Sequence, residues 1–284
     1  ALFGGFWIEN VANQIKNSNF KGNVWPVNPH RKSIAGYKCF QDISDLPGVP
    51  DTAFIGVNRT KTLEILTKLN EVGCGGATCF AAGFSEVDKY GKQLQKKLSK
   101  ASKDMPFLGP NCYGYINYLD HIHMWPDQHG GKKVEKGVAI IAQSSNIAIN
   151  LTMNTRSTPI AYVLTTGNQA KIDMSDLGLA MINDKRVTAI GIYIEGFKDI
   201  KKFEKMAFSA LRSNIPIVVL KSGKTDLSKK QSFSHTASIT GDSDISSAFL
   251  KRLGIVEVDD LELFLETLKV LNFNGRLEKN SALA

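Results

Sequence analysis

The sequence predicts an α/β protein of two doubly wound units, each a mainly parallel sheet covered by helices on both faces. Three observations lead to this. The chain has 284 residues, more than one domain of about 100 to 200 residues usually needs and enough for two cores. Short continuous apolar runs, read as strands buried on both faces, alternate with stretches of helical periodicity along most of the chain. Many of these runs stop at glycine turns, which places ligand-facing loops at the carboxyl ends of the strands.

In the first unit, residues 1–7 read as the tail of a strand entering a glycine turn, and Ile8, Val11, Ala12 and Ile15 have the spacing of a following helix. A strand, the turn Gly4-Gly5 and a helix amino terminus together make an anion cradle, because unpaired N–H groups and the helix dipole face the ligand. No third glycine stands where a dinucleotide fingerprint requires it, so NAD and FAD are poorly supported. Residues 22–29 read as a second strand, closed by Pro26 and Pro29, which forbid a helix before Asn28. His30, Arg31 and Lys32 follow, where a dehydrogenase would usually place an acid for the ribose hydroxyls. A basic turn there suits a ribose phosphate and equally suits a solvated turn.

A third strand at 52–57 ends at Val57, and the helix 60–72 is expected to turn Leu63, Leu66, Leu69 and Val72 inward before Gly73. A fourth strand, 76–83, runs into the small-residue turn Ala81-Ala82-Gly83. Residues 90–103 form a lysine-rich helix whose charges read as a solvated face. Residues 107–114 give a short fifth strand and a tight loop through Gly109-Pro110-Asn111-Cys112. Residues 121–136 carry His121, His123 and His129 beside Asp127 without metal-ligand spacing, so they read as a polar linker. The domain boundary is placed there, giving units 1–127 and 128–284.

The second unit repeats the pattern, with strands at 138–142, 160–165, 187–194, 215–220 and 255–258. Helices are expected after residue 145 and at 175–183, 201–212, 244–253 and 261–270, a flavodoxin-like arrangement. Ser144 and Ser145 open the first of these helices; capping explains them, and so does contact with phosphate oxygens. Glu195 ends a strand beside Gly196 at the expected ligand edge. A carboxylate there can hold one imidazole nitrogen and leave the other free, or be an ordinary loop acid. The polar run 224–232 leads to His235, a lone imidazole between hydroxyl residues ahead of Gly241. Local sequence alone favours a histidine in a capping turn, with a nucleophile as the alternative.

The remaining composition bounds the function. Formal net charge is +8, but lysines are mixed with acids rather than gathered in an aromatic-interleaved patch, which argues against nucleic acid and leaves an anionic small ligand. No run reaches the roughly 18 apolar residues needed to span a bilayer, and no signal peptide is visible. Cys39, Cys74, Cys79 and Cys112 lack ligand spacing and suit a reducing cytoplasm. The chain begins without methionine at what reads as the end of a strand, which predicts a segment of a longer protein.

Lys221-Ser222-Gly223, then Ser234-His235-Thr236-Ala237-Ser238 and Gly241, resembles the motif K-S-G…S-H-T-G-(S/A)-x-x-G of the NDP-forming acyl-CoA synthetases, relatives of the succinyl-CoA synthetase alpha subunit. Ala237 replaces the usual glycine. Further landmarks recur in the same order over nearly the whole chain: 26–29, 82–86, Gly109-Pro110-Asn111-Cys112, Gln143-Ser144-Ser145, Gly167-Asn168, Glu195-Gly196 and 258–261. The order is specific, although no single piece is.

The resemblance implies a Rossmann-like CoA-binding domain followed by a flavodoxin-like, succinyl-CoA synthetase-like domain carrying a phosphohistidine loop. CoA contacts are then expected at Gly4, Gly5, Phe6, Asn28, Pro29, Lys32, Val57, Ala82, Asn111 and Cys112, and phosphate contacts at Ser144, Ser145 and Gly241. His235 would be phosphorylated, Glu195 would orient it, and 224–232 would be a mobile arm. Phe6 and Trp7 depart from the small or hydroxyl residues usual in the first loop, and Ser145 from a usual glycine. No ATP-grasp domain is found, so ATP/ADP and Mg2+ are expected in a partner ATP-grasp domain or beta subunit, within a homo- or hetero-oligomer acting on CoA and a small carboxylic acid. The alternative is a CoA-sensing regulatory module of a fused protein acetyltransferase.

Overall fold

The computed structural model describes residues 1–154, 156–222 and 243–276. His235, Gly241 and the arm 224–232 lie outside the described residues. The chain forms two compact units, one of Ala1–Gln128 with Thr165–Asp173 and the other of His129–Leu164 with Met174–Ala284.

The first unit opens with β1 (Leu2–Gly4), α1 (Phe6–Asn17), β2 (Pro26–Val27) and a small antiparallel hairpin of β3 (Ser33–Ile34) and β4 (Tyr37–Lys38). It continues with β5 (Ala53–Gly56), α2 (Arg59–Glu71), β6 (Ala77–Cys79), α3 (Lys89–Ala101) and β7 (Phe107–Leu108). Five strands pair in the order β2-β1-β5-β6-β7, all parallel. Because side chains alternate across a strand, Phe3 and Ile55 enter a core with Leu66, Leu69, Leu94 and Leu98 of α2 and α3. Leu2 and Phe54 enter a second core with Ile8, Val11 and Ile15 of α1. Each such side chain contributes about 1.5–3 kcal/mol on burial, so both helical layers are held by the same central strands.

Three expectations need correction here. Val72, expected to point inward, is 40% exposed, and Thr62 is buried in its place. The second strand is only two residues long, Pro26–Val27, within the expected segment 22–29. Part of the expected linker is ordered sheet: β8 (Tyr115–Asn117) and β9 (Ile122–Met124) form an antiparallel hairpin, followed by the fully buried Trp125. Ile122, Met124 and Trp125 supplied the apolar signal, obscured by His121 and His123 beside them. The Gln14 side-chain amide donates to the Asp127 carbonyl at 2.6 Å, and the Ser18 hydroxyl to the His121 carbonyl at 2.7 Å, fastening α1 to this region.

The second unit comprises β10 (Gly137–Ala142), α4 (Ser145–Thr152), β11 (Ile160–Thr165), α5 (Met174–Asn183), β12 (Val187–Ile194), α6 (Ile200–Arg212), β13 (Ile217–Lys221), α7 (Ser243–Arg252), β14 (Val256–Val258) and α8 (Leu261–Asn274). Its strands run β11-β10-β12-β13-β14, with β10, β12, β13 and β14 in parallel register. Every residue of β10 is buried. Gly191 in β12 lets α8 approach closely: a Cβ there would meet Leu268 and Phe264 side-chain carbons at 2.6 Å. The last helix runs four residues past its expected end, to Asn274, because Leu271 still packs inward and Gly275 ends the helix at φ +67°.

Counted within each unit, both strand orders are 2-1-3-4-5. That is the doubly wound order whose switch point lies between the first and third strands: β1 and β5 in one unit, β10 and β12 in the other.

Candidate functional site

At the first switch point, the carboxyl ends of β1 and β5 open into a cleft of about 590 Å³ whose lining includes Gly4, Gly5, Asn28, Pro29 and Val57. Backbone closeness shapes its floor. Gly4 has φ +144°, and a Cβ on it would lie 2.5 Å from the Gly56 carbonyl oxygen, so only glycine allows the strands to meet here. Asn28 fixes the rim, donating through Nδ2 to the Gly4 carbonyl at 2.6 Å and accepting from the His30 N–H at 2.9 Å. The N–H groups that open α1 face the same end, which suits an anion.

The structure adds Lys61, Gln41 and His30 to this lining. Lys61 sits in the first turn of α2, whose cap Asn58 accepts from the Lys61 N–H at 3.0 Å. Its signal in the sequence was positional: the first turn of the helix after a switch-point strand faces the ligand edge. Lys68 also lines the cleft, paired with Asp42 at 3.0 Å.

The other expected residues fall elsewhere. Phe6 is 66% exposed on the first turn of α1 and Lys32 is exposed, and neither lines the cleft. Ala82 and Asn111 lie in the loops after β6 and β7, further along the same edge. Cys112 is buried, with Sγ 3.8 Å from the Cys79 carbonyl oxygen, and burial pushes its thiol up to about 12. What Cys112 can offer a ligand is its main chain. A run of rings crosses this edge, Trp7 to Phe80 at 4.8 Å, Phe80 to Tyr113 at 5.5 Å and Tyr113 to Trp125 at 5.6 Å between centroids.

At the second switch point, β10 delivers Gln143 and Ser144, and β12 delivers Glu195 and Gly196. Gln143 is buried, and its Oε1 accepts from the N–H groups of both Glu195 and Gly196, at 2.5 and 3.0 Å. From the opposite side, Ser222 after β13 donates its N–H to the Ile194 carbonyl at 2.9 Å. The peptide carrying Glu195 is therefore clamped by both neighbouring strands. Burial raises the nearby Tyr193 phenol, and the negative charge of Glu195 adds to that shift. Ser144 caps α4, accepting from the Ile147 N–H at 3.4 Å, with Ser145 as the first helical residue. Lys221, at the end of β13, is 3% exposed, an unusual burial for a lysine and one that the motif alone did not foretell.

Two family models match the chain in the same order as the two units, a CoA binding domain over residues 8–118 and a succinyl-CoA ligase like flavodoxin domain over residues 135–271. The ADP-forming acetate–CoA ligase of Methanocaldococcus jannaschii is 32% identical over 92% of this chain and 37% of its own length. The alpha subunit of ADP-forming acetate–CoA ligase II from Pyrococcus furiosus is 29% identical over 93% of this chain and 57% of its own. The chain belongs to the ADP-forming acyl-CoA synthetase family. A solved member, the dinucleotide-forming acetyl-coenzyme A synthetase 1 of Candidatus Korarchaeum cryptofilum in complex with phosphate and ADP, superposes with a TM-score of 0.83 at 29% identity, over 93% of this chain and 57% of that one.

As a member of the acyl-CoA synthetase family, the chain spans between about a third and three fifths of the relatives it matches. Its first switch point lies in the CoA binding domain and its second in the succinyl-CoA ligase like domain. Among the described residues, no group of three His, Cys, Asp or Glu side chains could hold a metal ion, and no helix is long and apolar enough to cross a membrane.

Proposed function

We propose that this chain is the CoA-binding and phosphohistidine part of an ADP-forming acyl-CoA synthetase, acting with a nucleotide-binding ATP-grasp domain or beta subunit. The observation that carries this reading is the coincidence of motif and topology. Gly4, Gly5, Asn28 and Val57 meet in a cleft at one switch point, and Gln143, Ser144 and Glu195 stand at the other. These are the places where doubly wound sheets hold their ligands.

The neutral imidazole of His235 attacks the γ-phosphorus of ATP, forming an N–P bond as the bond to ADP breaks. The phosphoryl group then passes to a carboxylate oxygen of the acid, giving an acyl phosphate and restoring the imidazole. CoA thiolate attacks the acyl carbon and inorganic phosphate leaves, completing the thioester. Glu195 accepts the N–H of the nitrogen that does not attack, which keeps the other nitrogen nucleophilic. Ser144 and Ser145 bind phosphoryl oxygens at the amino terminus of α4, and Gly241 is a further phosphate contact. Gly4, Gly5, Asn28, Pro29 and Val57 bind CoA in the cleft with Lys61; Phe6, Lys32, Ala82, Asn111 and Cys112 are contacts along the rest of the edge. Mg2+ is assigned to the partner, with the nucleotide.

The substrate is a small carboxylic acid, the assembly a homo- or hetero-oligomer. The four free, buried cysteines suit the cytoplasm. The ligase names of the relatives favour this reading over a CoA-sensing module. Thioester formation by the full-length protein, assayed with ATP, CoA and a panel of small acids, tests it. ADP and acyl-CoA produced in equal amounts are expected, and binding of CoA without turnover on any acid would favour the sensing module.

A further inference from the structure

The segment Thr165–Asp173 follows β11 of the flavodoxin-like unit in sequence, yet it packs in the CoA-binding unit. Its turn, Gly167-Asn168, is wedged between the loops that follow β6 and β7. The Asn168 N–H donates to the Pro110 carbonyl at 2.9 Å, and the Ala170 N–H to the Gly109 carbonyl at 2.9 Å. Gly167 has φ +51°, and a Cβ there would lie 2.3 Å from the Pro110 carbonyl oxygen and 2.4 Å from that of Asn111. No other residue fits this approach without moving the loop.

The Asn168 side chain joins the two loops. Its Nδ2 donates to Glu86 Oε2 at 2.5 Å and to Gln95 Oε1 at 3.0 Å, and its Oδ1 accepts from Asn111 Nδ2 at 3.5 Å. Glu86 in turn accepts from the N–H of Gly83 at 2.6 Å and of Phe84 at 3.2 Å. One carboxylate therefore ties the loop carrying Ala82, and one amide ties that carboxylate to the loop carrying Asn111. Arg59 closes the other side, donating from Nη1 to the Gly83 carbonyl at 2.5 Å.

We infer that Asn168 is a positioning residue of the CoA step, although its place in the sequence, between two strands of the flavodoxin-like unit, would put it with phosphohistidine formation. It acts through Glu86 and Asn111, holding both loops at the carboxyl edge of the sheet along which CoA lies. The inference rests on the proposed reaction through a phosphohistidine and an acyl phosphate. It also adds to that proposal a division of labour: residues 165–173 serve thioester formation and leave phosphorylation alone.

Two half-reactions measured on the full-length protein with its nucleotide-binding partner test this. Phosphoenzyme formation is followed with γ-labelled ATP, and kcat/KM for CoA with acid and ATP saturating. Asn168→Ala is expected to label within about twofold of wild type and to lose roughly tenfold to a hundredfold in kcat/KM for CoA, the scale of a misplaced reacting group. Asn168→Asp sets a carboxylate against Glu86 and should lose as much. Adding Glu86→Gln to Asn168→Asp restores a donor facing an acceptor and should recover most of the loss, which a merely structural role would not produce. Labelling that falls in step with the CoA constant, unchanged CoA kinetics in both single variants, or no recovery in the double variant would overturn the inference. Failure of the wild type itself to label would instead sink the phosphohistidine reading.

Discussion

Gln143 illustrates how much of a site one amide can fix. Its oxygen is the acceptor for two N–H groups of the turn that carries Glu195. Gln143→Leu, close in volume, leaves both donors buried without that acceptor. A loss of about 2–4 kcal/mol is expected in urea unfolding, at roughly 1–3 kcal/mol for each unsatisfied group. Asp184 supplies a pH signature. The Arg186 guanidinium beside it, with the Tyr162 hydroxyl, holds its carboxyl well below the usual carboxylate range. A depressed folded-state value means stabilisation that is full above the unfolded value, near 3.9, and lost as pH falls through the folded value. Since the pair is partly exposed, Asp184→Asn should cost about 1 kcal/mol at pH 7, and that difference should shrink steadily below about pH 4 in denaturant titrations. Cys112, raised by burial, should resist alkylation at pH 8 until the protein unfolds, checked by mass spectrometry with iodoacetamide. Serine at 144 was legible as a cap from the sequence. The Gln143 clamp was not, because it spans 52 residues and local patterning carries no trace of such a bond.

At the scale of elements, the strands of the second unit were readable because continuous apolar runs of five to eight residues leave few alternatives; β11 and β12 fall on their expected ranges. The lysine-rich α3 likewise turns its lysines to solvent while Leu94 and Leu98 are buried. The hairpin of β8 and β9 was missed because three-residue strands give too little alternation to read through His121, His123 and Asp120. The landmark Asp259-Asp260 also gains a structural explanation: Asp260 caps α8, accepting from the Leu263 N–H at 2.7 Å. Asp260→Ala should lower stability by about 1 kcal/mol and leave CoA kinetics unchanged. Gly4→Ala differs in kind, because its Cβ would collide with the Gly56 carbonyl. Weaker CoA binding, read by titration calorimetry, and a lower Tm are both expected, since the strand ends that form the cleft must separate.

At the scale of the molecule, two units with one strand order present two switch points, one in the CoA binding domain and one in the succinyl-CoA ligase like domain, and the proposed reaction divides its chemistry between them. The sequence made this plan legible through an ordered set of short motifs, none of them decisive alone. What it hid was the return of Thr165–Asp173 to the first unit, because a segment's partner in space is set by packing that local patterning does not encode. Glu195, proposed as the orienting carboxylate, was legible as an acid at the end of a buried strand, whereas His235 is proposed from its motif and lies outside the described residues. In the proposed reaction His235 carries the phosphoryl group, and labelling the full-length protein with γ-labelled ATP and no CoA is the decisive measurement. Acid-labile, base-stable label at His235 that disappears in His235→Ala is expected, whereas undiminished label in that variant would rule out His235 as the carrier.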